Sequence, residues 1–334
     1  MPGVAEPTSD DLIRTSYSDI SRASWCARSW HLGSHLGLRQ RKPRRTGPLP
    51  FGARYHKVLE VSGKADDWSE EAVVARWRQL TEHEWDWVKT RYGLDPDDDM
   101  RKESKMGQAM LRAYVAWRQE THHDAHWETL TVEHRYGQDI PVRLPDGRTV
   151  LMRVLGMSDV RERRRSDGAV LIVDHKTAAN LSNTTLDLQE RSIQGPLYLW
   201  LEMCEAPQDQ WSAGVSYLMH KKLLHSRGVA KPPFNMRLDV LIGRARLNAA
   251  KRNIIAKAAK VLTMTEQLEQ GQPADLVAPY TTGWWCHSCP FKAPCDLMQR
   301  GYDQGAADLL ADQYEKGDPF ERYQDDLAEV DSML

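Results

Sequence analysis

The chain has 334 residues, with 45 Lys and Arg against 47 Asp and Glu and a formal net charge of −2. Its 41% hydrophobic and 28% charged residues suit a globular protein with a large buried core. No run approaches the roughly 18 apolar residues of a membrane span, and the opening MPGVAEPTSDDLIRTSYSD has no secretory apolar core; no membrane partner is expected, and a cytoplasmic, reducing setting is.

Residues 1–50 read as an N-terminal segment. A helical stretch over 15–35 carries Cys26, and the basic linker RQRKPRRTGPLP follows. Residues 51–128 are a helical region, in which Trp77, Leu80, Trp85 and Val88, then Met110, Leu111, Tyr114 and Trp117, recur at helical spacing. The acidic run DPDDDM splits it in two. Residues 129–270 form the expected core. LTVEHRYG, DIPVRLPDGRTVLMRVLGMSDVRER and AVLIVDHKTA read as strands separated by Pro-Asp-Gly and Ser-Asp-Gly turns. A helix over Asp187–Cys204, a strand in WSAGVSYLMHKKLL and a long basic helix over Arg237–Gln270 complete it. Residues 271–301 are cysteine-rich. Residues 302–334 are acidic, with ten Asp or Glu against two basic residues, and read as a helix or a disordered tail. Without that tail the body is mildly basic, about +6, which is compatible with a nucleic-acid partner. The order of helices, antiparallel-rich sheet and helices predicts an α/β fold with a helical insertion, not a doubly wound one.

The strongest chemical signal is VLIVDHKTA. The apolar Val170–Val173 run reads as a buried strand ending in Asp174-His175-Lys176. Alternation sets Asp174 and Lys176 on one face, and the short turn before the strand brings Asp159 alongside. Two hard carboxylates suit Mg2+ or Mn2+, which lowers the pKa of water and offsets charge on a phosphate. An adjacent ammonium orients the attacking water or stabilises the developing anion. Asp-x-Lys after a strand is, taken alone, more often a surface ion pair.

The surrounding motifs resemble the PD-(D/E)XK nuclease superfamily, in its RecB-like iron–sulfur exonuclease branch. That branch includes the AddB nuclease domain, exonuclease V and the CRISPR-adaptation nucleases. The motifs are GARYH over Gly52–His56, GMSD over Gly156–Asp159, DHKT over Asp174–Thr177 and QGPLY over Gln194–Tyr198, in that order. The resemblance covers about residues 18–300. It implies a mixed central sheet of the restriction-endonuclease-like core with a cluster-bearing subdomain made by the N- and C-terminal segments. It implies that His56, Asp159, Asp174 and the His175 backbone carbonyl hold the metal, and that Lys176 acts on the nucleophilic water. Gln194 and Tyr198, one helical turn apart, would contact the site or the DNA, and Glu133 fits an acidic position on an earlier strand. Ala178 stands where the family often has glycine, which bears on loop geometry.

The five cysteines are odd in number, and in a reducing compartment read as ligands or buried thiols. Cys286, Cys289 and Cys295 follow a C-x2-C-x5-C pattern, with Cys26 far upstream. Four thiolates at this spacing fit Zn2+ or an iron–sulfur cluster equally. The one-plus-three layout resembles the branch named above and implies a structural [4Fe–4S] cluster. It would close a loop of about 260 residues. Cys204 reads as a buried thiol, and Trp284 and Trp285 as cover for the cluster or core.

Three basic features are candidates for tracking a phosphate backbone: Arg39–Arg45, the run Arg161, Arg163, Arg164 and Arg165, and the Arg237–Lys260 helix. A solvated charged face is the bland reading of each. The expected function is metal-dependent hydrolysis of DNA, as an exonuclease on single strands or ends, in recombination, repair, phage DNA processing or CRISPR adaptation. The alternative is a DNA-binding subunit in which cleavage is secondary. There is no Walker A motif, so a helicase partner would be a separate chain.

Overall fold

The computed structural model describes residues 12–42, 45–225 and 228–323. In chain order these form β1 (Ile13–Ser16), α1 (Tyr17–Trp25), α2 (Ala27–Trp30), a π-helical turn (His31–His35), β2 (Leu38–Gln40), α3 (Pro48–Lys64), α4 (Glu70–Tyr92), α5 (Asp98–Glu120) and α6 (His123–His126). Then come β3 (Trp127–Arg143), β4 (Thr149–Arg164), β5 (Val170–Ala178), α7 (Asn183–Glu190), α8 (Gln194–Glu205), β6 (Gly214–Lys221), β7 (Leu224–His225), β8 (Gly228–Val229) and β9 (Asn235–Leu241). The last are α9 (Arg244–Glu269), α10 (Ala274–Val277), α11 (Lys292–Gln299), α12 (Asp303–Gln313) and β10 (Tyr314–Lys316). Among the described residues, no helix is long and apolar enough to cross a membrane.

The chain divides into two compact units. The described residues of Met1–Pro43, Tyr136–Gly156 and Asn248–Asp325 form one, and those of Arg44–Arg135 and Met157–Leu247 the other.

In the second unit, the end of β4 pairs antiparallel with β5, β5 parallel with β6, and β6 antiparallel with β9. β6 is buried along nearly its whole length, as a central strand covered on both faces must be. Helices α3, α4 and α5 cover one face through Phe51, Tyr55, Trp77, Leu111 and Tyr114, which cluster with Val173 and Leu218 of the sheet. Their ends are chemically specified. Ser69 and Asp97 accept the amides of Ala72 and Met100 as N-caps, and Gly93, with φ of 66°, closes α4 in the left-handed conformation.

Gly107 of α5 is where Trp77 of α4 rests. A Cβ there would lie 2.0 Å from the buried indole, whose Nε1 donates to the Ser104 carbonyl at 2.9 Å. Gly107→Ala is expected to lower the unfolding free energy by about 3 kcal/mol through overpacking. A urea midpoint matching that of the parent chain would contradict this.

In the first unit, β1 runs parallel to the start of β4, with Ile13 opposite Met152. A core of Trp30, Val142, Met152, Ala258, Val261 and Leu262 joins α2, the strands and α9. β2 pairs antiparallel with β10.

Several expectations change here. Arg237 lies in β9 and not on a helix. The alternation of Met236, Leu238 and Val240 makes a strand, and the helix starts only after Gly243. The Asp187–Cys204 stretch is two helices, α7 and α8. Residues 303–316 of the acidic segment form α12 and β10, because β10 supplies the partner of β2. Arg39 of the basic linker pairs there with Glu315 at 3.1 Å and Glu321 at 3.3 Å. Residues 324–334 lie outside the described part. Cys204 is exposed, since the buried stretch of α8 ends at Glu202.

Candidate active site

The site is built where β5 outruns β4. The β4–β5 register ends at Val160 opposite Val173, so Asp159 and Asp174 come next on their strands. Asp159 turns toward β5 and accepts the His175 backbone N–H on Oδ2 at 2.7 Å. In a strand the N–H and C=O of one residue point the same way, so the His175 carbonyl also faces Asp159.

His56 comes from α3. Its Nδ1 lies 3.2 Å from Asp159 Oδ1, and its side chain keeps 34% exposure, so one ring edge stays open. Lys176 Nζ lies 2.7 Å from Asp174 Oδ2 and donates to Gln194 Oε1 at 2.9 Å. Gln194 Nε2 donates to the Tyr198 hydroxyl at 2.8 Å. The spacing of Gln194 and Tyr198 on α8 thus serves to hold the ammonium. Pro196 sits in the first turn of that helix, where a missing N–H costs nothing. Gly195 beside it allows close approach to β6, because a Cβ would meet Val215 at 2.7 Å.

The electrostatics are those of two carboxylates forced together. Burial pushes the Asp174 carboxyl up, Lys176 opposes this, and the charge of Asp159 adds to it. Burial also acts on Asp159, but His56 and the His175 N–H outweigh it and hold that carboxyl well below its usual range. Burial would lower His56, yet Asp159 and Asp174 raise it overall.

Behind the site runs a buried relay that the sequence did not announce. His175 Nδ1 meets His220 Nε2 at 2.9 Å, and His220 Nδ1 meets Asn235 Oδ1 at 2.9 Å. Asn235 Nδ2 donates to the Ala113 carbonyl at 3.0 Å. Burial lowers His175 to about 4 and His220 well below its ordinary value, so both rings are neutral at pH 7. Since Asn235 Oδ1 only accepts, His220 Nδ1 carries a proton, its Nε2 accepts, and His175 Nδ1 donates. The chain from α5 through β9 and β6 therefore anchors the backbone between Asp174 and Lys176.

Glu133 stands apart from the carboxylate pair. It adopts a φ of 54° within β3 and faces Glu60 of α3, with burial and then Glu60 raising its pKa. Glu60 follows His56 by one helical turn, a spacing readable in the sequence, and takes Lys57 at 3.1 Å and Lys64 at 2.6 Å.

The arginine run is not brought to the site. β4 carries it away from Asp159, with Arg163 opposite Val170 at the far end of β5. Each member has an internal partner: Arg161 with Glu202 at 2.6 Å, Arg163 with Glu128 at 3.1 Å, Arg164 with Asp167 at 2.7 Å, and Arg165 with the Asp124 carbonyl at 3.3 Å.

In the first unit, Cys26, Cys286, Cys289 and Cys295 line one cavity of about 40 Å³, together with Trp285 and Phe291. Cys26 is the extended residue between α1 and α2, Cys286 and Cys289 flank a tight turn, and Cys295 projects from α11. Ser29 lies 3.8 Å from Cys289 Sγ, and Gln299 Nε2 donates to Cys295 Sγ at 3.2 Å. Trp285 covers the cavity, whereas Trp284 is 72% exposed. Among the described residues, no three His, Cys, Asp or Glu side chains converge into a ready-made ion cage.

No curated protein matches the chain. The sequence profile of the PD-(D/E)XK nuclease superfamily matches residues 14–296, which include Cys26, the β4–β5–α8 centre and the cysteine turn. Members of that superfamily are generally nucleases and typically use Mg2+ or Mn2+. With its mixed sheet and a match over most of its length, the chain belongs to the PD-(D/E)XK nuclease superfamily.

Proposed function

We propose that this protein is a metal-dependent DNA exonuclease acting on single-stranded DNA or DNA ends. The observation that carries the reading is the meeting of Asp159, Asp174, His56 and a Gln194-held Lys176 at the end of β5.

The donor set fits a hard divalent cation. Asp174 is buried with its Oδ2 against Lys176 Nζ at 2.7 Å, and Asp159 faces His56 at 3.2 Å, so two hard carboxylates and an imidazole stand at one strand end. Asp159, Asp174, His56 and the His175 carbonyl would hold Mg2+ or Mn2+. When bound, such an ion makes a water acidic and offsets charge on the scissile phosphate. Lys176, fixed by Gln194 and Tyr198, orients the attacking water. The His175–His220–Asn235 relay keeps the strand end in place. Asp159, bonded to His56, fixes that ring's orientation, as carboxylates beside metal-binding imidazoles do.

His56 must shed its proton to take a metal. Mn2+ affinity is therefore expected to fall as pH drops through the elevated pKa of His56. Titration calorimetry at several pH values reads this; a flat profile would remove His56 from the ligand set.

The four cysteines are proposed to hold a structural [4Fe–4S] cluster, with Zn2+ as the other metal suited to them. Anaerobically purified protein is expected to be brown, with iron and acid-labile sulfide. Cys286→Ser should lose the colour and lower stability while leaving the chemistry of the β5 centre unchanged. Stoichiometric zinc in a colourless preparation would replace the cluster assignment.

End-labelled single- and double-stranded DNA, incubated with Mg2+ or Mn2+, tests the function. Release of nucleotides from ends supports the reading. DNA binding without cleavage in any metal would favour a nuclease-like subunit of a larger recombination or CRISPR-adaptation complex.

A further inference from the structure

The glycines inside the helices of the second unit are not alike. Gly107 and Gly195 stand where a Cβ would strike Trp77 or Val215. Gly52 of α3 has no such reason. It keeps ordinary helical backbone, and a Cβ there would come no closer than 3.8 Å, to Thr177 Oγ1. That is plain van der Waals contact, so an alanine would fit the folded chain. A glycine inside a helix weakens it relative to alanine. Neither backbone nor packing accounts for that cost, which leaves the bare surface for something outside the chain.

That surface adjoins the β5 centre. Gly52 precedes His56 by one helical turn, on the same face and about 6 Å along the axis. Thr177 follows Lys176, and among the described residues its hydroxyl has no hydrogen bond.

Lys222 borders the surface from the end of β6. Its N–H donates to the Ala178 carbonyl at 2.9 Å. Two residues past His220, it points to the α3 face, where its ammonium stands 5.1 Å from the centre of the Phe51 ring. The side chain is half-buried, and burial lowers its pKa. Glu103 opposes that shift from a distance, because its oxygens are taken by the Gly47 N–H at 2.7 Å and by Arg54 at 2.6 Å. Among the described residues no carboxylate pairs with Lys222. A half-buried ammonium without an anion is costly, so the position suits an anion brought by the substrate.

We propose that a DNA strand entering the centre crosses α3 at Gly52, and that Lys222 and Thr177 hold a phosphate next to the scissile one. A side chain at position 52 would stand where the sugar–phosphate backbone passes. This rests on the nuclease reading and deepens it by naming a subsite on the His56 side of the centre.

Fluorescence anisotropy of end-labelled single-stranded oligonucleotides, without divalent cation so that nothing is cut, tests it. Lys222→Met keeps the stem on Phe51 and removes the charge. It is expected to weaken binding about tenfold and to lower the slope of log affinity against log salt by roughly 0.7, the share of one phosphate. Lys222→Arg should restore both, and KM for cleavage in Mg2+ should follow the same order. Oligonucleotides with single methylphosphonates locate the contact: at one position the penalty seen with the parent chain should vanish in Lys222→Met.

Gly52→Ala gives an independent sign. It should raise the melting temperature, as alanine does at a compatible helical site, yet weaken DNA about fivefold or more by crowding the strand. Should Lys222→Met not fold, this variant decides alone. A parent chain that neither binds nor cuts DNA would overturn the nuclease reading and the subsite with it. DNA bound and cut by the parent chain, but equally well by Lys222→Met and Gly52→Ala, would overturn the subsite alone. So would a Gly52→Ala chain with a lowered melting temperature, which would make the glycine structural.

Discussion

Asp174→Ala and Lys176→Ala are each expected to cut metal-dependent DNA cleavage by about a thousandfold or more. Loss of one preorganised charge-stabilising group costs roughly 10²–10³ in rate, and loss of a carboxylate ligand also weakens the ion. The two variants should differ in a second measurement. Mn2+ should raise the melting temperature of the parent chain and of Lys176→Ala, but not of Asp174→Ala, because only a ligand that binds the native state stabilises it.

Metal-free stability gives a further sign. The Asp174 carboxyl is raised by burial, with Asp159 adding to the shift. Its cost to the fold is therefore absent below the unfolded pKa and grows as pH rises through the folded one. Asp174→Asn should accordingly be no less stable than the parent chain at neutral pH without metal. Cleavage by either alanine variant at the parent rate would end the assignment of this centre.

Arg161→Ala is expected to cost about 3–5 kcal/mol of stability. Arg161 lies 2.6 Å from Glu202, whose side chain is 4% exposed. Glu202 also accepts the amide of Ser212 at 2.8 Å and its hydroxyl at 2.9 Å. Removing the arginine strands a buried carboxylate, and breaking such pairs from one side costs about this much. The double variant Arg161→Met, Glu202→Met should recover much of the loss, since the penalty belongs to the unpaired charge. Chemical denaturation of the single and double variants measures both. A loss below about 1 kcal/mol with a marked fall in DNA affinity would return Arg161 to the role of a phosphate contact. Arg163 differs. Its partner Glu128 is 40% exposed, so the pair contributes little to stability.

What the sequence by itself determined is what short-range geometry controls. Strand alternation put Asp174 and Lys176 together, a tight turn brought Asp159 beside them, and a four-residue helical step aligned Gln194 with Tyr198. The spacing of Cys286, Cys289 and Cys295, with Cys26 far upstream, suggested one four-thiolate site, and all four line one cavity. Tertiary structure decided the partners. That Gln194 bonds Lys176, that His56 meets Asp159, and that His220 and Asn235 stand behind His175 depend on residues 15 to 103 positions apart. A charged side chain's fate is likewise set by what faces it. The arginines of β4 read as a nucleic-acid surface in one dimension, yet Arg161 is committed to α8 and Arg39 to the acidic residues after α12. Periodicity fixes which way a residue points along its own element, but the group that meets it arrives from elsewhere in the chain.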